Sequence, residues 1–265
     1  MPEYCSTSAP LDQVTPLILT YNEEPNIGRV LKGLDWAKRI VVVDSFSTDR
    51  TLDILAQHPK VEVVQRNFNT FASQCNAGLD LIKSSWVLSL DADYLITTKL
   101  EREMADAIIN ANQNNIAGFS IPFCYCVFGK PLRGTILPPR IALFRNNCAK
   151  YIDDGHAHRL RLDGQCSELK SPIFHDDRKP LSRWLWAQTR YLKLEVDKLQ
   201  TVPRDKLSLA DRLRRRYVIA PFAVLLLCLI WKRGLLDGWR GWFYAFQRLY
   251  VETLLSLMLW EARHG

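Results

Sequence analysis

Residues 40–57, IVVVDSFSTDRTLDILAQ, join a short run of β-branched residues to a helical pattern. The apolar run at 40–44 ends in Asp44 and predicts a buried strand, and residues 48–57 predict the helix that follows it. The same order of strand and then helix recurs before and after this unit. Repeated βα units indicate a mostly parallel sheet that is covered by helices on both faces.

The remaining elements extend this pattern outward. Further strands are predicted at residues 16–20, 61–65 and 86–90, and further helices from about Pro25, at 71–82 and at 100–112. Strand-like runs then follow at 119–128 and 140–144, separated by the turn-forming stretch GKPLRGTILPP, and a helix is predicted at 180–199. The later runs predict a mixed sheet beside the parallel one.

The composition is that of a folded globular protein. Of the 265 residues, 48% are hydrophobic and 24% are charged, which excludes extensive disorder and a polytopic membrane protein. The seven cysteines are scattered without a CxxC pair, and the first residues, MPEYCSTSAPLDQ, lack the basic and apolar regions of a signal peptide. We therefore predict reduced thiols and a cytoplasmic location.

Positive charge is concentrated near the C-terminus. The chain has 35 Lys and Arg against 28 Asp and Glu, a net charge of +7, and residues 203–265 hold 11 of the basic and five of the acidic residues. The same segment holds four of the eight tryptophans. Basic residues beside Trp and Leu are typical of a segment that binds a membrane interface.

Two helices are predicted in this basic segment. The uncharged stretch at 217–231 is too short for a spanning helix and contains Pro221, and residues 239–260 predict a second, aromatic and aliphatic helix. We predict that both helices lie in, or dip into, the inner leaflet, so that a chain truncated before Pro203 is more soluble. A buried helical hairpin or a dimer interface is the alternative.

Acidic residues follow two of the predicted strands. Asp44 ends the second strand, and Asp91 and Asp93 follow the fourth in WVLSLDAD. Because the carboxyl ends of parallel strands meet at one crevice, these side chains are expected to face one ligand. Carboxylates two residues apart suit a hard divalent ion that also binds phosphate oxygens, which predicts a metal bridging a diphosphate. A solvated turn is the alternative.

Glycine-rich phosphate loops are missing from the sequence. None of the twelve glycines forms GxGxxG or GxxxxGK. A dinucleotide-dependent oxidoreductase and a P-loop kinase are therefore disfavoured.

The chain resembles the family 2 glycosyltransferases. Four blocks carry the resemblance, LILTYNEEPNI at 17–27, VVVDSFSTDRT at 41–51, FASQCNAGL at 71–79 and WVLSLDAD at 86–93. The resemblance implies the GT-A fold, an α/β architecture with a Rossmann-like, mostly parallel sheet. The basic, Trp-rich C-terminal segment adds a predicted helical membrane-associated appendage to it. It also implies inverting transfer of a sugar from a nucleotide diphosphate sugar with Mg²⁺ or Mn²⁺. Within the family the chain is similar to small bacterial enzymes related to the lipopolysaccharide-core β-glucosyltransferases, which share the DSFSTD form.

The resemblance also implies roles for individual residues. The implied donor-site residues are Thr20, Tyr21 and Glu23 at the base and ribose, Asp44 at the nucleobase, and Asp91 and Asp93 as the DxD pair, with Asp93 reaching the metal. Two features depart from the family pattern. Ser45 and Phe46 replace the common Asp-Gly, which removes a second base-contacting carboxylate, and Tyr94 stands where related enzymes often carry Glu or Gln.

The segment YIDDGHAHRL, residues 151–160, holds the candidates for the general base. An inverting enzyme needs a group that takes the proton of the acceptor hydroxyl. We predict Asp154 for this role and Asp153 as the second candidate, with His156 and His158 nearby. A surface turn that is capped by the two aspartates is the alternative.

The segment IFHDDRKPLSRW, residues 173–184, supplies a histidine and two cations just before a helix. By resemblance to other GT-A folds, His175 is expected to be a further metal ligand. Arg178 and Lys179 are expected to neutralise the leaving diphosphate. The alternatives are a hydrogen-bonded structural histidine and a solvated cluster at the helix entry.

These features predict three parts of the chain. Residues 1–115 form the donor-binding half, residues 116–202 the acceptor-binding and catalytic half of the same domain, and residues 203–265 the membrane-interface segment. The predicted partners are a nucleotide diphosphate sugar, a lipid-linked or cell-envelope glycan acceptor and the inner-leaflet surface, with the C-terminal helices as a surface for a homo-oligomer. Nucleic acid is not expected. The competing hypothesis is a non-catalytic, glycosyltransferase-like partner of another membrane enzyme.

Overall fold

A computed structural model describes residues 8–111, 114–133, 135–154 and 157–264. The helices are α1 (Ser8–Leu11), α2 (Ile27–Lys32), α3 (Thr51–Ala56), α4 (Phe71–Leu79), α5 (Thr98–Ala111), α6 (Leu181–Thr201), α7 (Leu209–Arg214), α8 (Ile219–Leu226) and α9 (Trp239–His264). The strands are β1 (Val14–Thr20), β2 (Ile40–Asp44), β3 (Val61–Gln65), β4 (Trp86–Asp91), β5 (Tyr94–Leu95), β6 (Ile116–Ile121), β7 (Phe123–Val127), β8 (Lys130–Pro131), β9 (Arg140–Arg145), β10 (Ala149–Asp154), β11 (Ala157–Leu162), β12 (Gln165–Glu168) and β13 (Ile173–His175).

The central sheet has the strand order β12-β6-β9-β4-β1-β2-β3. Strands β4, β1, β2 and β3 run parallel to one another, as the repeated βα units predict, and β9 lies antiparallel between β6 and β4. The register pairs Thr20 with Asp44 and Leu19 with Asp91. The carboxyl ends of β1, β2 and β4 therefore form one edge, and Asp44 and Asp91 lie along it.

The parallel strands β1, β2 and β4 are buried on both faces, which explains their continuous apolar runs. One face packs Ile18 and Leu88 against α2 and α5, and the other packs Leu17 and Val43 against α4. Helix α4 lies very close to β1 at Gly78, where an added Cβ would overlap Leu17 Cδ1 and stand 3.1 Å from Val43 Cγ2. A larger residue at position 78 has no space between the helix and the sheet.

The predicted single strand at 119–128 is wrong, because the structure has two strands there, in different sheets. Pro122 separates β6 from β7, and a proline has no N–H to continue a ladder. Strand β7 pairs parallel with β13, and β13 pairs antiparallel with β5. This small sheet sets His175 opposite both Tyr94 and Tyr125, and it brings the end of β13 next to the DxD pair.

The chain forms two compact units. The first contains the central sheet and comprises the chain up to Cys126, then Leu137–Asp153 and His158–Arg178. The second consists mainly of Val127–Ile136 and the helices from Lys179 onward. The predicted functional boundaries at residues 115 and 202 stay predictions.

An ionic network holds the helices of the second unit together. Arg214 of α7 contacts Glu252 of α9 at 2.7 Å, Glu195 of α6 at 3.2 Å and Asp211 at 3.4 Å. Burial works to lower the pKa of the Arg214 guanidinium, but the hydrogen bonds and charge of Glu252, with the other carboxylates, raise it overall. Arg215 donates to backbone carbonyl oxygens at the end of α6. These two arginines of the basic C-terminal segment, residues 203–265, therefore bind partners within the second unit.

Apolar packing adds to this network. Leu192, Val196 and Leu199 of α6 form one core with Leu255 and Leu259 of α9. Among the helices that the structure describes, none has the length and the apolar character required to cross a bilayer.

Candidate active site

Asp44 organises the loop that follows β2. Its carboxylate is fully buried and accepts hydrogen bonds from Thr20 Oγ1 at 2.8 Å, Ser47 N at 2.8 Å and Ser47 Oγ at 2.5 Å. A buried carboxylate needs such donors to offset the loss of its water shell. Asp44 and Thr20 thus lie together at the predicted donor edge, and their contact with a nucleotide stays a prediction.

The loops after β1 and β2 are bound to each other by hydrogen bonds. Asn22 N donates to Ser47 Oγ at 2.8 Å, Glu23 N donates to Thr51 Oγ1 at 2.8 Å, and Glu24 N donates to Asp49 Oδ2 at 3.0 Å. Burial works to raise the pKa of the Asp49 carboxyl, but hydrogen bonds from Thr51 and Glu24 lower it overall. We call these two joined loops the rim, residues 21–26 and 45–50.

Two aromatic rings are exposed on the rim. Tyr21 is 40% exposed and Phe46 is 47% exposed, and Phe46 has a left-handed backbone with φ of 59°. From sequence, the replacement of Asp-Gly by Ser45 and Phe46 signified only the loss of a carboxylate. In the structure a flat apolar side chain at this place is suited to stack on a nucleobase.

The segment 175–178 is bound to helix α2 and the residue before it. Asn26 is buried and donates to Glu23 Oε2 and to Asp177 Oδ1, both at 2.9 Å. Asp176 is buried and accepts from Arg29 at 2.7 Å and from Arg178 Nε at 3.0 Å. Glu23 and Arg178 therefore have hydrogen-bond partners within the protein. Lys179, the next residue, belongs to the second unit.

Asp93 and His175 are in direct contact. His175 Nε2 lies 3.1 Å from Asp93 Oδ2, and the imidazole packs against the rings of Tyr94 and Tyr125. Burial works to lower the pKa of His175, but the charge and hydrogen bond of Asp93, together with two further carboxylates, raise it overall. The structure thus brings two of the three predicted metal ligands, Asp93 and His175, together. The third, Asp91, is the last residue of β4.

The donor set suits Mg²⁺ or Mn²⁺ when a substrate completes it. Among the described residues, no group of three or more His, Cys, Asp or Glu side chains is arranged to hold a metal by itself. Ions of this kind usually take one or two carboxylates and fill their other positions with water and phosphate oxygens. His175 Nδ1 is buried and has no hydrogen-bond partner among the described residues. The chemistry of Asp91, Asp93 and His175 therefore fits a metal that also binds a diphosphate.

The candidate base Asp153 lies near the end of β10. It is exposed and accepts a hydrogen bond from Thr70 Oγ1 at 3.2 Å. It also lines a groove of about 860 Å³ that runs along α4 beside Arg66 and Asn76. Asp154 ends β10, but its side chain lies outside the described part of the chain, as do Gly155, His156 and the side chain of His158. The choice between Asp153 and Asp154 stays a prediction.

Arg140 is a candidate site residue that the sequence did not predict. This exposed residue begins β9, which pairs antiparallel with β4, and its charge acts on Tyr94 together with that of Asp91. Burial raises the pKa of Tyr94 well above its ordinary value and the charge of Asp91 adds to this, while the Arg140 cation opposes it. Knowledge that β9 lies antiparallel beside β4 is needed to find this cation.

The sequence model of the family described as Glycosyl transferase family 2 matches residues 17–159. The chain belongs to glycosyltransferase family 2. The match runs from β1 into β11 and takes in the DxD pair and both base candidates. The predicted family and the α/β GT-A fold class, with a mostly parallel sheet and C-terminal helices, are confirmed. Similarity to lipopolysaccharide-core enzymes within family 2 stays a prediction.

Curated relatives of this family 2 protein match it over less than half of its length. An uncharacterized glycosyltransferase of Rickettsia bellii is 28% identical over 110 residues, which cover 41% of this chain and 37% of that protein. The SPbeta prophage-derived glycosyltransferase SunS of Bacillus subtilis is 33% identical over 95 residues, which cover 35% of this chain and 22% of that protein. The matches thus span less than two fifths of the length of these relatives.

Solved structures of S. aureus TarS are distantly similar. TarS 1-349 has a TM-score of 0.49 at 16% identity, with 91% of this chain and 80% of that chain covered. The complex of TarS 1-349 with UDP-GlcNAc has a TM-score of 0.47 at 17% identity, with 94% of this chain and 92% of that chain covered.

Proposed function

We propose that this family 2 protein transfers a sugar, with inversion, from a nucleoside diphosphate sugar to a lipid-linked or cell-envelope glycan acceptor at the cytoplasmic face of a membrane. The observation that carries the proposal is the meeting of Asp93 and His175 beside Asp91, at the sheet edge where Asp44 organises the rim. Membership of the family supports the transfer reaction. The exposed apolar and basic residues of the second unit support a membrane-linked acceptor.

The donor base binds at the rim. The exposed rings of Tyr21 and Phe46 provide apolar faces for the base. Thr20 and Glu23 lie in or beside the same loops, and the buried Asp44 carboxylate holds the second loop in shape. This arrangement gives Asp44 a positioning role in addition to its implied contact with the base.

Asp91, Asp93 and His175 are the residues that would hold Mg²⁺ or Mn²⁺, and when bound the ion supplies positive charge to the diphosphate. Arg140, whose charge acts on Tyr94 together with that of Asp91, binds a phosphate oxygen of the donor.

Arg178, whose Nε is bonded to Asp176, is a further cation for the leaving group. Its charge stabilises the diphosphate as it departs. The same role for Lys179 stays a prediction.

The base is Asp154 or Asp153. As the acceptor oxygen attacks the anomeric carbon, its hydroxyl proton passes to the carboxylate. A new C–O bond forms on the face opposite the diphosphate, and the bond from the anomeric carbon to the phosphate oxygen breaks. The nucleoside diphosphate leaves with that electron pair, and the carboxyl then gives its proton to water.

Donor turnover by the full chain tests the proposal. Each of a panel of nucleoside diphosphate sugars is incubated with Mn²⁺ or Mg²⁺ without acceptor, and release of the nucleoside diphosphate is measured. Slow release from one donor is expected, because water takes the place of the acceptor. Donor binding without any turnover, with or without a lipid extract as acceptor, would instead support the non-catalytic partner. If no donor binds at all, the proposal is overturned.

A further inference from the structure

The turn between α8 and α9 exposes a dense set of apolar side chains. We call residues 226–242 the hairpin tip; it comprises the end of α8, a π-helical turn at Leu227–Trp231, a 3-10 turn at Gly234–Asp237 and the start of α9. Its exposed members include Leu226, Ile230, Trp231, Leu235, Leu236 and Trp239. Trp231 is 79% exposed and Leu236 is 63% exposed. Clustered apolar side chains on a surface indicate a binding face.

The tip is tightly built around two glycines. A Cβ added to Gly241 would overlap the Gly234 carbonyl oxygen, and one added to Gly234 would stand 2.6 Å from the Cys228 carbonyl oxygen. Only glycine permits this approach of the two backbones. Cys228, within the tip, and Tyr244, just after it, are buried. The backbone of the tip is therefore closely packed around Gly234 and Gly241.

A second segment of the chain extends the same surface. Phe128, which is exposed and has φ of 49°, lies with its ring centroid 5.6 Å from that of Trp239. The loop that carries Phe128 is attached to the tip, because Arg133 N donates to Asp237 Oδ2 at 2.8 Å. Phe128 and the tip thus form one apolar surface within the second unit.

The basic residues of the tip outnumber the acidic one. Lys232, Arg233 and Arg240 lie within it, and the Arg240 guanidinium rests 4.6 Å from the centre of the Trp239 ring. The acidic residue of the tip, Asp237, has a mostly buried carboxylate that accepts from the Arg133 backbone. Basic side chains beside apolar ones are complementary to anionic lipid headgroups above an acyl layer.

We propose that the hairpin tip, together with Phe128, inserts into the interfacial layer of an anionic bilayer. The Trp, Leu and Ile side chains enter the acyl boundary, while Lys232, Arg233 and Arg240 bind lipid phosphates. Arg214 and Arg215 take no part, because they bind carboxylate and carbonyl partners within the second unit. The proposed lipid contact is thus centred on the turn between the helices.

Binding of the full chain to vesicles tests this inference. Vesicles of phosphatidylcholine alone, and of phosphatidylcholine with phosphatidylglycerol, are sedimented with the protein in the absence of donor and acceptor. The result is therefore independent of the proposed transfer reaction. The protein is expected to sediment with the anionic vesicles, and part of this binding should persist as salt is raised, because salt does not screen apolar burial.

Two variants separate the apolar from the ionic contribution. The double variant Trp231→Ser/Leu236→Ser is expected to lower the vesicle partition coefficient about tenfold or more at every salt concentration. The reason is that these large apolar side chains no longer enter the acyl boundary. The double variant Lys232→Gln/Arg233→Asn should weaken the preference for anionic vesicles, because only Arg240 of the three cations remains. Asn is chosen at 233 because φ there is 58° and Asn tolerates this conformation. Circular dichroism and melting temperature check that each variant folds.

A matched control is Leu209→Ser, which removes an apolar side chain that is 82% exposed and lies outside the tip. This control should bind vesicles like the unmodified chain. The inference fails if the unmodified chain stays in the supernatant with both vesicles, or if Leu209→Ser weakens binding as much as the tip variant does. It also fails if Trp231→Ser/Leu236→Ser converts a dimer to a monomer and leaves vesicle binding unchanged, because a second copy of the chain would then be the occupant.

Discussion

Asp93 combines burial, an edge position and a histidine partner. An Asp93→Asn variant is expected to keep its fold, because the amide oxygen can still accept from His175, but to lose the charge that a metal requires. Turnover should fall by about 10²-fold or more, as is usual when a group that stabilises developing charge is removed. Donor turnover and thermal unfolding are measured side by side.

The control for this variant is Asp106→Asn, which changes an exposed carboxylate on α5 and should retain full turnover. Near-normal transfer by Asp93→Asn, or by the unmodified protein in excess chelator, would rule out metal dependence through Asp93.

The two base candidates are separated by a pair of variants. Asp154→Asn is expected to reduce turnover on the order of 10²-fold while donor affinity stays unchanged, because a base acts on the acceptor. Asp153→Asn should have a small effect, through its hydrogen bond with Thr70. Steady-state kinetics and donor binding by calorimetry are the measurements. A large loss with Asp153→Asn would exchange the roles, and a loss of donor affinity with Asp154→Asn would refute the assignment.

Arg140 is tested by its effect on the donor. Since a hydrogen bond to a charged group contributes about 1.5–3 kcal/mol, Arg140→Gln is expected to lower kcat/KM for the donor about tenfold or more. Arg140→Lys should recover part of this loss. Arg102→Gln, at an exposed position of α5, is the control. If both Gln variants behave alike, Arg140 has no part in donor binding.

Single residues differ in how far the sequence predicts their neighbours. Asp91 and Asp93 follow a strand of a parallel sheet, and the rule that ligands bind at the carboxyl edge places them without further information. Arg140 begins an antiparallel strand, so its position near Tyr94 depends on a long-range pairing that local pattern does not encode. The contact of Asp93 with His175 likewise depends on the small sheet of β5, β13 and β7.

At the scale of elements, helix α4 packs on β1 with no space at Gly78. Gly78→Ala is expected to destabilise the protein by about 1–3 kcal/mol, the usual cost of overpacking a core, although alanine is the better helix former. The measurement is chemical denaturation followed by circular dichroism.

The matched control for this variant is Gly28→Ala in α2, where the added Cβ would meet Ile54 Cγ2 at 3.6 Å, an ordinary contact. This change should be neutral or should stabilise by up to about 1 kcal/mol, because alanine has less freedom to lose on folding. Equal effects of the two substitutions would show that close packing at Gly78 is unimportant.

Strands that are marked by a local sequence pattern can be predicted from the sequence. The strands with which they pair are harder to predict. The strands at 40–44 and 61–65 have the predicted bounds, because β-branched runs between turn residues mark them directly. The run at 119–128 resembles one strand, since β6 and β7 have similar composition and differ mainly in the sheet that each joins. Pro122, inside the run, is the local sign of the break.

At the scale of the whole molecule, the basic C-terminal segment, residues 203–265, is a structural part of the second unit. A chain that ends at Val202 would expose Leu192, Val196 and Leu199, which pack against α9 in the full chain. We therefore expect it to be less soluble and to bind an apolar dye, which is the opposite of the sequence-based expectation. Sedimentation and dye fluorescence are the measurements.

A chain that ends at Ala262 is the control for this truncation, because it keeps Leu255 and Leu259 in place. It should remain as soluble as the full chain. If the chain ending at Val202 were soluble and free of bound dye, helix α6 would not need α9. Net charge does not predict that α6 depends on α9. From sequence alone Arg214 and Arg215 are interpreted as solvent-facing cations, whereas in the structure they bind Glu252 and the Leu199 carbonyl oxygen.

Ligands that reach the rim meet loops that are already ordered. Asn22 and Phe46 hold left-handed conformations, and the bonds from Asn22 and Glu23 to Ser47 and Thr51 attach the two loops to each other. The conformational entropy of these residues is therefore lost during folding and not during binding. If the donor base binds at the rim as proposed, discrimination between bases is expected to depend on shape, since these loops cannot adapt to a poorly fitting base without breaking one of their own hydrogen bonds.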